Sequence, residues 1–426
     1  MNILQVASGD FFSTYGGGQV YVKNIVDEMI RQGLDVAVLS FVVKDIAINK
    51  CDYKGISLWE VGKHAKEADI EELVRTTSPS IIHAHSQKAL FATMGERLRI
   101  PVIVTAHHGG ILCPASTLMN TNDCICQVTP LYKRCLKCCL SYVRSGSYWY
   151  PFMKLLPEAS SVRLGEILQK LPFIPFITPI GGIALSIRNK ISEWQTICNK
   201  ATSIVAPSHA IADAMCRNGL SRDKVKVIPH GIPKAISPIE TPHNQSDKIR
   251  FFYVGRICRV KGLHILLEAF CGIENQDKAE LHIIGGAGNK SELRYMSKLQ
   301  RKYTSVNIVW HGKVHADRVF DSIKDYNVMV HPAIYLEVFG LNIAESLAMN
   351  KPVLATRCGG AEMQIVDGVN GWLVAPNDII ALRVKMNEIV DQGVKMDTSS
   401  LHEDVISIDN HVKDLLKIYE KETFIG

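Results

Sequence analysis

The sequence predicts an α/β protein with two doubly wound domains, and three observations lead to that prediction. The chain has 426 residues, more than one hydrophobic core usually supports, since single cores stop growing near ~250–300 residues. Short β-branched apolar runs alternate with segments of helical period along most of the chain. This alternation stops near residue 228 and then restarts, which indicates a second domain of the same type.

The first half of the chain has the pattern of a parallel sheet with crossover helices. MNILQVA predicts the first strand, and VYVKNIVDEMIRQG has apolar residues at helical spacing, with Gly33 as the expected stop. Further strand candidates are DVAVLSFV, SIIHAH, PVIVTAHH and TSIVAPS. Their nearly continuous apolar character is typical of strands buried on both faces. We therefore expect residues 1–228 to form an N-terminal Rossmann-like domain.

An irregular segment from about residue 110 to residue 195 interrupts this pattern. It contains LPFIPFITPIGGIALSI, in which the prolines rule out a membrane-spanning helix. Two interpretations stay open, namely an insertion packed on the first domain and a basic, apolar patch that faces a membrane. The cations that favour the second are Lys154, Arg163, Lys170, Arg188 and Lys190.

The second half repeats the strand–helix pattern after a linker. The linker candidate is VKVIPHGIPKAISPIETPHNQSD, which is rich in Pro, Ser and Asn. Five further strand candidates follow it: IRFFYVG, AELHIIGG, SVNIVWHG, NVMVHPA and PVLATR. Residues 229–405 are therefore predicted to form a second doubly wound domain. Residues 406–426 predict an amphipathic C-terminal helix, and crossing back to the first domain is an arrangement that the sequence leaves open.

Composition limits the class of protein and its partners. Apolar residues make up 47% of the chain and charged residues 21%, as in ordinary globular proteins. The net charge of +6 favours an anionic partner such as a nucleotide or an acidic membrane face, but it is too small to indicate nucleic acid. The N-terminus lacks the pattern of a signal peptide, so we expect a cytoplasmic protein whose twelve cysteines are reduced.

Candidate site residues of the first domain follow its predicted strands. Gly16 and Gly17 in TYGGGQ allow a tight turn whose N–H groups can approach an anion at a helix start. Four histidines follow two other strands, and ligands of open α/β sheets gather at that end. A lone histidine there is more often structural, but four raise the chance that one faces a ligand. We select His107 from the four, which are His83, His85, His107 and His108.

Candidate residues of the second domain lie in two turns. Arg256 and Lys261 in GRICRVKG suit a diphosphate, with the guanidinium as a fork and the ammonium as a point charge. If that turn stood alone, solvated loop cations would be the simpler interpretation. HIIGGAG is a glycine turn at another strand end, where a base or ribose could lie against the backbone.

The stretch IYLEVFGLNIAESLAM places Glu337 in a loop and Glu345 on the following helix. Backbone N–H groups near Gly340 and Leu341 open that helix, and its positive end favours phosphate. Because a carboxylate would repel a diphosphate, we expect the two acids to bind hydroxyl groups, Glu345 those of a ribose and Glu337 those of a sugar. Structurally, either acid could be no more than a favourable charge near a helix start.

Together these motifs resemble family 4 of the retaining glycosyltransferases, which have the GT-B fold of two Rossmann-like domains facing a central cleft. The most specific element is the pair Glu337 and Glu345 with seven residues between them, followed by NKPVLATRCGG. GGGQ, PHGI, GRICRVKG and GVNGWLVAPND occur in the family's order. The resemblance extends over most of the chain and is weakest at residues 110–195. It implies an acceptor-side first domain and a donor-binding second domain.

The resemblance implies a role for four residues near the reacting atoms. Arg256 and Lys261 would hold the donor's diphosphate and stabilise the leaving nucleotide. Glu337 would position the donor sugar, and His107 would contact the transferred sugar near the reacting carbon. No enzyme nucleophile is expected, because the family retains anomeric configuration by front-face attack.

The resemblance also implies further donor-binding residues and no cofactor. Glu345 would bind the ribose, and the amides near Gly340 and Leu341 would hold phosphate. Gly16 and Gly17 would border the phosphates from the first domain. No metal is expected, because cations and helix dipoles replace it in neutralising the leaving group.

The predicted function is transfer of a sugar from a nucleotide-diphosphate sugar to a glycan or lipid-linked acceptor, with retention of configuration. Cell-surface polysaccharide or lipopolysaccharide biosynthesis is the expected setting, with peripheral association at the cytoplasmic face of the membrane. A nucleotide-sugar epimerase of the same fold and a non-catalytic nucleotide-sugar-binding protein are the alternatives. Catalysis is favoured because Arg256, Lys261, Glu337 and Glu345 are all present.

Six cysteines of the insertion lie close together in sequence: Cys113, Cys124, Cys126, Cys135, Cys138 and Cys139. Cys135 and Cys138 have the spacing of a zinc knuckle. A structural zinc held by four of the six is one interpretation. Buried thiols or surface-reactive cysteines are the other.

Overall fold

The protein divides into two α/β units. The computed structural model describes residues 1–12, 16–127, 130–141, 143, 146–170, 178–233, 248–315 and 318–424. The first unit comprises Met1–Ser8, Leu34–Val227 and Ile418–Gly426, and the second comprises Gly9–Gly33 and Ile228–Lys417. Most of the predicted linker, residues 234–247, and residues 171–177 of the proline-broken stretch lie outside the described residues.

The first unit is built on a sheet that has eight strands within the described residues. They are β1 (Ile3–Ser8), β2 (Val36–Phe41), β3 (Ile48–Tyr53), β4 (Ile56–Val61), β5 (Ile81–Ala84), β6 (Val102–Thr105), β7 (Ser203–Ala206) and β8 (Val225–Val227). Their spatial order is β3-β4-β2-β1-β5-β6-β7-β8, and every neighbouring pair is parallel except the β3–β4 hairpin. Every residue of β5, β6 and β7 is buried, as their apolar sequences predict. The strand order reverses beside β1, and such a switch point is where doubly wound sheets bind ligands.

Helices of the first unit include a bundle formed by the insertion. The helices are α2 (Glu67–Thr77), α3 (Lys88–Leu98), α4 (Tyr132–Ser141), α5 (Gly146–Leu155), α6 (Glu158–Lys170), α7 (Thr178–Lys200) and α8 (His209–Arg217). The insertion has a core of its own around Leu136, Ile180 and Ala184, and α7 packs along α3. Within the described residues, none of the helices has the length and apolar character needed to cross a membrane.

The second unit is built on a parallel sheet that has six strands within the described residues. They are β9 (Ile249–Val254), β10 (Ala279–Ile284), β11 (Ile308–Gly312), β12 (Val328–His331), β13 (Val353–Thr356) and β14 (Gly371–Val374), in the order β11-β10-β9-β12-β13-β14. The helices named from this half of the chain are α9 (Leu263–Phe270), α10 (Lys290–Lys302), α11 (Val319–Ile323), α12 (Leu341–Ala348), α13 (Gly360–Gln364), α14 (Ile379–Gln392) and α15 (Ile408–Phe424). Helix α1 (Gly17–Arg31) comes from the start of the chain but groups with this unit.

The fold class predicted from the sequence is confirmed, since both units are doubly wound α/β structures. The unit bounds differ from the predicted domain bounds at two places, because Gly9–Gly33 groups with the second unit and Ile418–Gly426 with the first. The packing of Tyr21 on α1 gives a reason for the first difference. Its ring centroid lies 3.9 Å from that of His230, and its hydroxyl bonds to His411 Nε2 at 2.7 Å. Strands β3, β4, β8 and β14 were not among the predicted strands, and β8 lies in the stretch that was predicted to be the linker.

Candidate functional site

A glycine turn fixes the position of Lys261 in the second unit. Gly262 follows it with φ +73°, and a Cβ at this position would lie 1.7 Å from the carbonyl oxygen of Pro332. Only glycine tolerates both the left-handed backbone and this approach. The N–H of Ile334 also donates to the carbonyl of Val260 at 2.9 Å. The turn therefore holds Lys261 against the loop that follows β12.

Lys261 and Glu337 form a buried ion pair in that loop. Glu337 is 8% exposed, and its Oε2 accepts hydrogen bonds from the Lys261 ammonium and from the Tyr335 hydroxyl, the latter at 2.8 Å. His331 Nε2 lies 3.5 Å from the same oxygen. The Lys261 ammonium also lies over the Tyr335 ring, 5.3 Å from its centroid. These contacts leave the carboxylate one definite position.

Electrostatics keep both members of this pair charged. Burial alone would raise the pKa of Glu337, but the Lys261 charge and the bonds to His331 and Lys261 outweigh it and hold the pKa well below its usual range. Burial alone would lower the pKa of Lys261, but Glu337 and Tyr335 hold it well above its ordinary value. The pair therefore presents an ammonium that stays protonated at neutral pH, as a ligand for phosphate requires.

The carboxyl of Glu345 differs from that of Glu337 in its contacts and in its pKa. It lies on α12, and among the described residues its carboxyl makes no hydrogen bond or ion pair. Burial raises the pKa of Glu345 to about 7. A largely buried carboxyl without a partner is costly, and hydroxyl donors from a ligand would satisfy it.

The first turns of two helices lie against each other in the second unit. Helix α1 begins at Gly17 after Gly16, and α12 begins at Leu341 after Gly340, whose φ is +86°. A Cβ on Gly17 would be 3.4 Å from Leu341 Cδ1. Both helices contribute free N–H groups and the positive ends of their dipoles here. The sequence-predicted Gly16, Gly17, Gly340 and Leu341 are therefore brought together.

Arg256 is held by a residue that the sequence analysis missed. Its guanidinium binds the Glu292 carboxylate through two contacts, Nη2 to Oε1 at 2.6 Å and Nε to Oε2 at 2.8 Å. The hydrogen bond to Glu292 raises the pKa of Arg256 further above its ordinary value. The N–H of Gly288, in the glycine turn after β10, donates to Glu292 Oε2 at 2.7 Å. Glu292 thus ties Arg256 to this turn.

A buried hydrogen-bond network positions His107 in the first unit. Its Nε2 lies 2.9 Å from His85 Nδ1, and His85 Nε2 lies 2.8 Å from Gln5 Oε1. Gln5 Nε2 donates to the Tyr419 hydroxyl at 3.3 Å, and that hydroxyl bonds to His83 Nδ1 at 2.5 Å. The network connects the ends of β5 and β6 with helix α15.

The network also determines which nitrogen of His107 carries the proton. Because Gln5 Oε1 is an acceptor, His85 donates its Nε2–H to it, and neutral His85 then accepts at Nδ1. His107 must therefore donate its own Nε2–H to His85. In its neutral form His107 has its lone pair on Nδ1, and the ring orientation is fixed by buried partners.

The cysteines of the insertion give no support to the zinc interpretation. Among the described residues no group of three or more His, Cys, Asp or Glu side chains could hold a metal ion. All six cysteines of the insertion are free thiols. Burial raises the pKa of Cys135 and of Cys139 to about 12. Neighbouring thiols, Cys113 and Cys138 among them, add to this rise of the pKa.

Two protein-family models match the chain. Residues 15–120 match the model described as Glycosyltransferase Family 4, and residues 238–402 match Glycosyl transferases group 1. The first range includes Gly16, Gly17 and His107. The second includes the four candidate side chains of the second unit, which are Arg256, Lys261, Glu337 and Glu345.

The chain is also similar to known glycosyltransferases in sequence and in fold. An uncharacterized glycosyltransferase of Methanocaldococcus jannaschii is 23% identical over 238 residues, which are 51% of this chain and 60% of the relative. The matched part spans between 45% and 62% of the first four curated relatives. HepE of Anabaena in complex with UDP has a similar fold, with TM-score 0.66, 15% identity and coverage of 99% and 100% of the two chains. The lipopolysaccharide outer core galactosyltransferase WaaB follows with TM-score 0.65, 15% identity and coverage of 99% and 100%.

Proposed function

The chain belongs to the group 1 glycosyltransferases of family 4, which have the GT-B fold, and on this premise we propose that it transfers a sugar from a nucleotide-diphosphate sugar to a glycan or lipid-linked acceptor. One observation carries the proposal. The second unit holds a charged Lys261–Glu337 pair and, on the other side of the first turn of α12, the Glu345 carboxyl, which has no partner among the described residues. This is the arrangement of charge and acceptors that a sugar joined to a nucleoside diphosphate requires.

In the proposed complex each group meets one part of the donor. Lys261 and Arg256 bind the diphosphate, and the amides of Gly340 and Leu341 assist at the helix start. Glu345 accepts hydrogen bonds from the ribose. Tyr335 holds the Glu337 carboxylate in place through its hydrogen bond. The remaining lone pairs of the carboxylate accept hydrogen bonds from sugar hydroxyls.

We further propose retention of anomeric configuration without a metal. The positive charge of Arg256 and Lys261, together with two helix N-termini, stabilises the departing nucleoside diphosphate. Bidentate binding of Arg256 by Glu292 in the ligand-free protein keeps the guanidinium beside the glycine turn after β10. His107, with its ring fixed by His85, contacts the transferred sugar from the first unit.

The first test is donor binding by thermal shift. A ligand at a hundred times its dissociation constant stabilises the folded state by about 2.7 kcal/mol, which raises the melting temperature measurably. UDP-sugars are expected to raise it for the wild type, in the presence of EDTA, because HepE was solved with UDP. Glu345→Ala is expected to lose most of the shift, since the ribose loses its acceptor.

A control variant separates loss of the ribose contact from loss of charge. Glu388→Ala removes a carboxylate from α14 of the same unit, where it pairs with Lys385, and is expected to keep the full shift. GDP- and ADP-sugars are run alongside. If no nucleotide sugar stabilises the wild type, the glycosyltransferase proposal fails. An equal shift in wild type and Glu345→Ala rejects the ribose assignment alone.

The proposed setting is assembly of surface polysaccharide or lipopolysaccharide at a membrane face. Residues 131–170 contain seven basic and two acidic residues, a net +5 out of +6 for the whole chain. Within this segment α5 exposes Tyr148 by 87%, Phe152 by 50% and Leu155 by 81%, at the i, i+4, i+7 spacing of one helix face, while Met153 is buried. An apolar stripe in a basic segment suits an anionic bilayer surface.

Vesicle co-sedimentation tests this setting. The wild type is expected to bind vesicles containing phosphatidylglycerol and to bind pure phosphatidylcholine much less. Replacing Tyr148, Phe152 and Leu155 together by Ser is expected to weaken binding at least tenfold, since each apolar side chain contributes about 1 kcal/mol or more on burial.

The matched control replaces three exposed valines of the second unit by Ser. Val306, Val366 and Val369 are exposed by 93%, 59% and 58%, and this variant is expected to bind as the wild type does. If the α5 variant also retains binding, α5 is not the membrane-facing surface. If the protein binds both vesicle types equally well, the proposed attraction to anionic lipids is excluded.

A further inference from the structure

Lys88 is in an unfavourable place for an ammonium group. It is the first residue of α3, where the positive end of the helix dipole disfavours a cation. Its Nζ donates to the carbonyl of His85 at 2.6 Å, and among the described residues it forms no ion pair. Burial and then the nearby Lys190 lower the pKa of Lys88 to about 8. The carboxylate that opposes this shift is Glu193, which pairs with Lys190, so Lys88 itself has no ion pair among the described residues.

Two further hydrogen-bond donors lie near Lys88, because α7 packs along α3, and the residues that follow Lys88 and those that flank Lys190 line one pocket. Lys190, on α7, contacts Glu193 at 2.6 Å, and its charge acts on both Lys88 and His108. His108 Nδ1 accepts from the N–H of Gly110 at 3.0 Å, so the neutral ring carries its proton on Nε2 as a donor. Burial, Lys88 and Lys190 together lower the pKa of His108 to about 4. At pH 7 the three groups therefore offer only donors.

The position of this cluster relates it to the network around His107. The carbonyl that holds Lys88 belongs to His85, whose ring accepts from His107. His108 directly follows His107 after β6. The cluster thus lies at the carboxyl ends of β5 and β6 in the first unit, the edge of the sheet where ligands bind.

We propose that Lys88, Lys190 and His108 form a binding site for a phosphate group carried by the acceptor. The cluster has two ammonium groups and one Glu193 carboxylate, hence a net charge of +1 with neutral His108. An anion there would neutralise the excess charge and accept from three donors, which suits the oxygens of a phosphate. The inference rests on the proposed function only for the identification of the phosphate carrier as the acceptor.

The experiment follows the His108 ring by NMR in protein with labelled histidine and saturated with UDP. UDP occupies the donor site, so added inorganic phosphate or pyrophosphate reports on the second site. Saturable shifts of the His108 resonance and a rise in its pKa are expected for the wild type. Lys88→Gln is expected to weaken phosphate binding at least tenfold and to raise the pKa of His108 in the absence of phosphate, because a neighbouring cation is removed.

Lys224→Gln is the matched control. Lys224 is also half-buried in the first unit and donates to backbone carbonyls, those of Cys198, Asn199 and Ala201 at 2.9–3.2 Å. This variant is expected to bind phosphate as the wild type does. The remaining histidine resonances report whether each variant is folded.

The outcomes separate the two proposals. If phosphate leaves His108 unshifted in the wild type, or binds equally well to Lys88→Gln, the phosphate site is rejected. If UDP fails to bind while the His108 titration behaves as expected, the donor proposal fails and the anion site stands. Glucose 6-phosphate and geranyl diphosphate, titrated separately, distinguish a soluble from a lipid-linked phosphate by the tighter binding of one of them.

Discussion

Lys261→Met is expected to lower the free energy of unfolding by about 3–5 kcal/mol, the cost of leaving one charge of a buried pair without its partner. The substitution keeps most of the side-chain volume, so the loss is electrostatic. Glu337 would stay buried, with Tyr335 and His331 as its remaining partners. Denaturant unfolding at neutral pH measures the change. UDP-sugar binding is expected to be lost in the same variant, because the phosphate loses its ammonium.

The double variant isolates the electrostatic origin of that effect. Adding Glu337→Gln to Lys261→Met removes the stranded carboxylate and is expected to recover most of the lost stability, without recovery of donor binding. Lys302→Met, which breaks an exposed pair with Glu268, is expected to leave the stability almost unchanged. A loss as large in the double variant as in Lys261→Met would mean that the lysine acts through packing.

Glu345→Gln is expected to stabilise the ligand-free protein at alkaline pH by up to about 3 kcal/mol, following the shift of the Glu345 pKa from 4.5 to about 7. Between these two pH values the folded state holds a proton that the unfolded chain has released. Stability of the wild type therefore falls as the pH rises through this window. Glutamine cannot ionise, so the stability of the variant does not fall in this window. Unfolding at pH 4 and at pH 8.5, one below and one above this window, checks the difference.

The same titration has the opposite effect on ligand binding. Ribose hydroxyls donate best to an ionised carboxylate, so UDP affinity of the wild type is expected to rise from pH 6 to pH 8, and that of Glu345→Gln to stay low and flat. At pH 4, below both pKa values, the two proteins are expected to be equally stable, which serves as the internal control. A variant less stable than the wild type at pH 8.5 would contradict the burial of an unpaired carboxyl.

Strands buried on both faces were predictable because their sequences leave no other interpretation. SIIHAH and PVIVTAHH are β-branched and apolar, and they became β5 and β6. The edge hairpin was not predicted, because β3 is INKCDY, a polar strand with a single buried residue. Lys54 and Gly55 form the two-residue loop of this hairpin, and both have positive φ. A glycine in such a loop is the signal in the sequence that could have indicated the hairpin.

The candidate side chains of the second unit could be proposed from the sequence because they lie in short motifs with fixed spacing. Glu292 was missed, since its importance depends on Arg256, which lies far from it in sequence and beside it in the fold. Lys88 was missed for another reason. A lysine at a helix start looks like a solvated surface residue until burial and its neighbour Lys190 are known. Spacing in the sequence identifies residues that lie in the same turn. Contacts between residues of different helices or strands can be identified only when the fold is known.

The division of the chain into two units limits which recombinants of its gene keep a unit intact. The polypeptide passes between the units four times, after Ser8, Gly33, Val227 and Lys417. A single crossover with a relative near residue 228 would therefore combine the second unit of one parent with helix α1 of the other. Gly17 would then meet a Leu341 with which it did not evolve. Transplanting the second unit intact therefore requires breakpoints at all four positions.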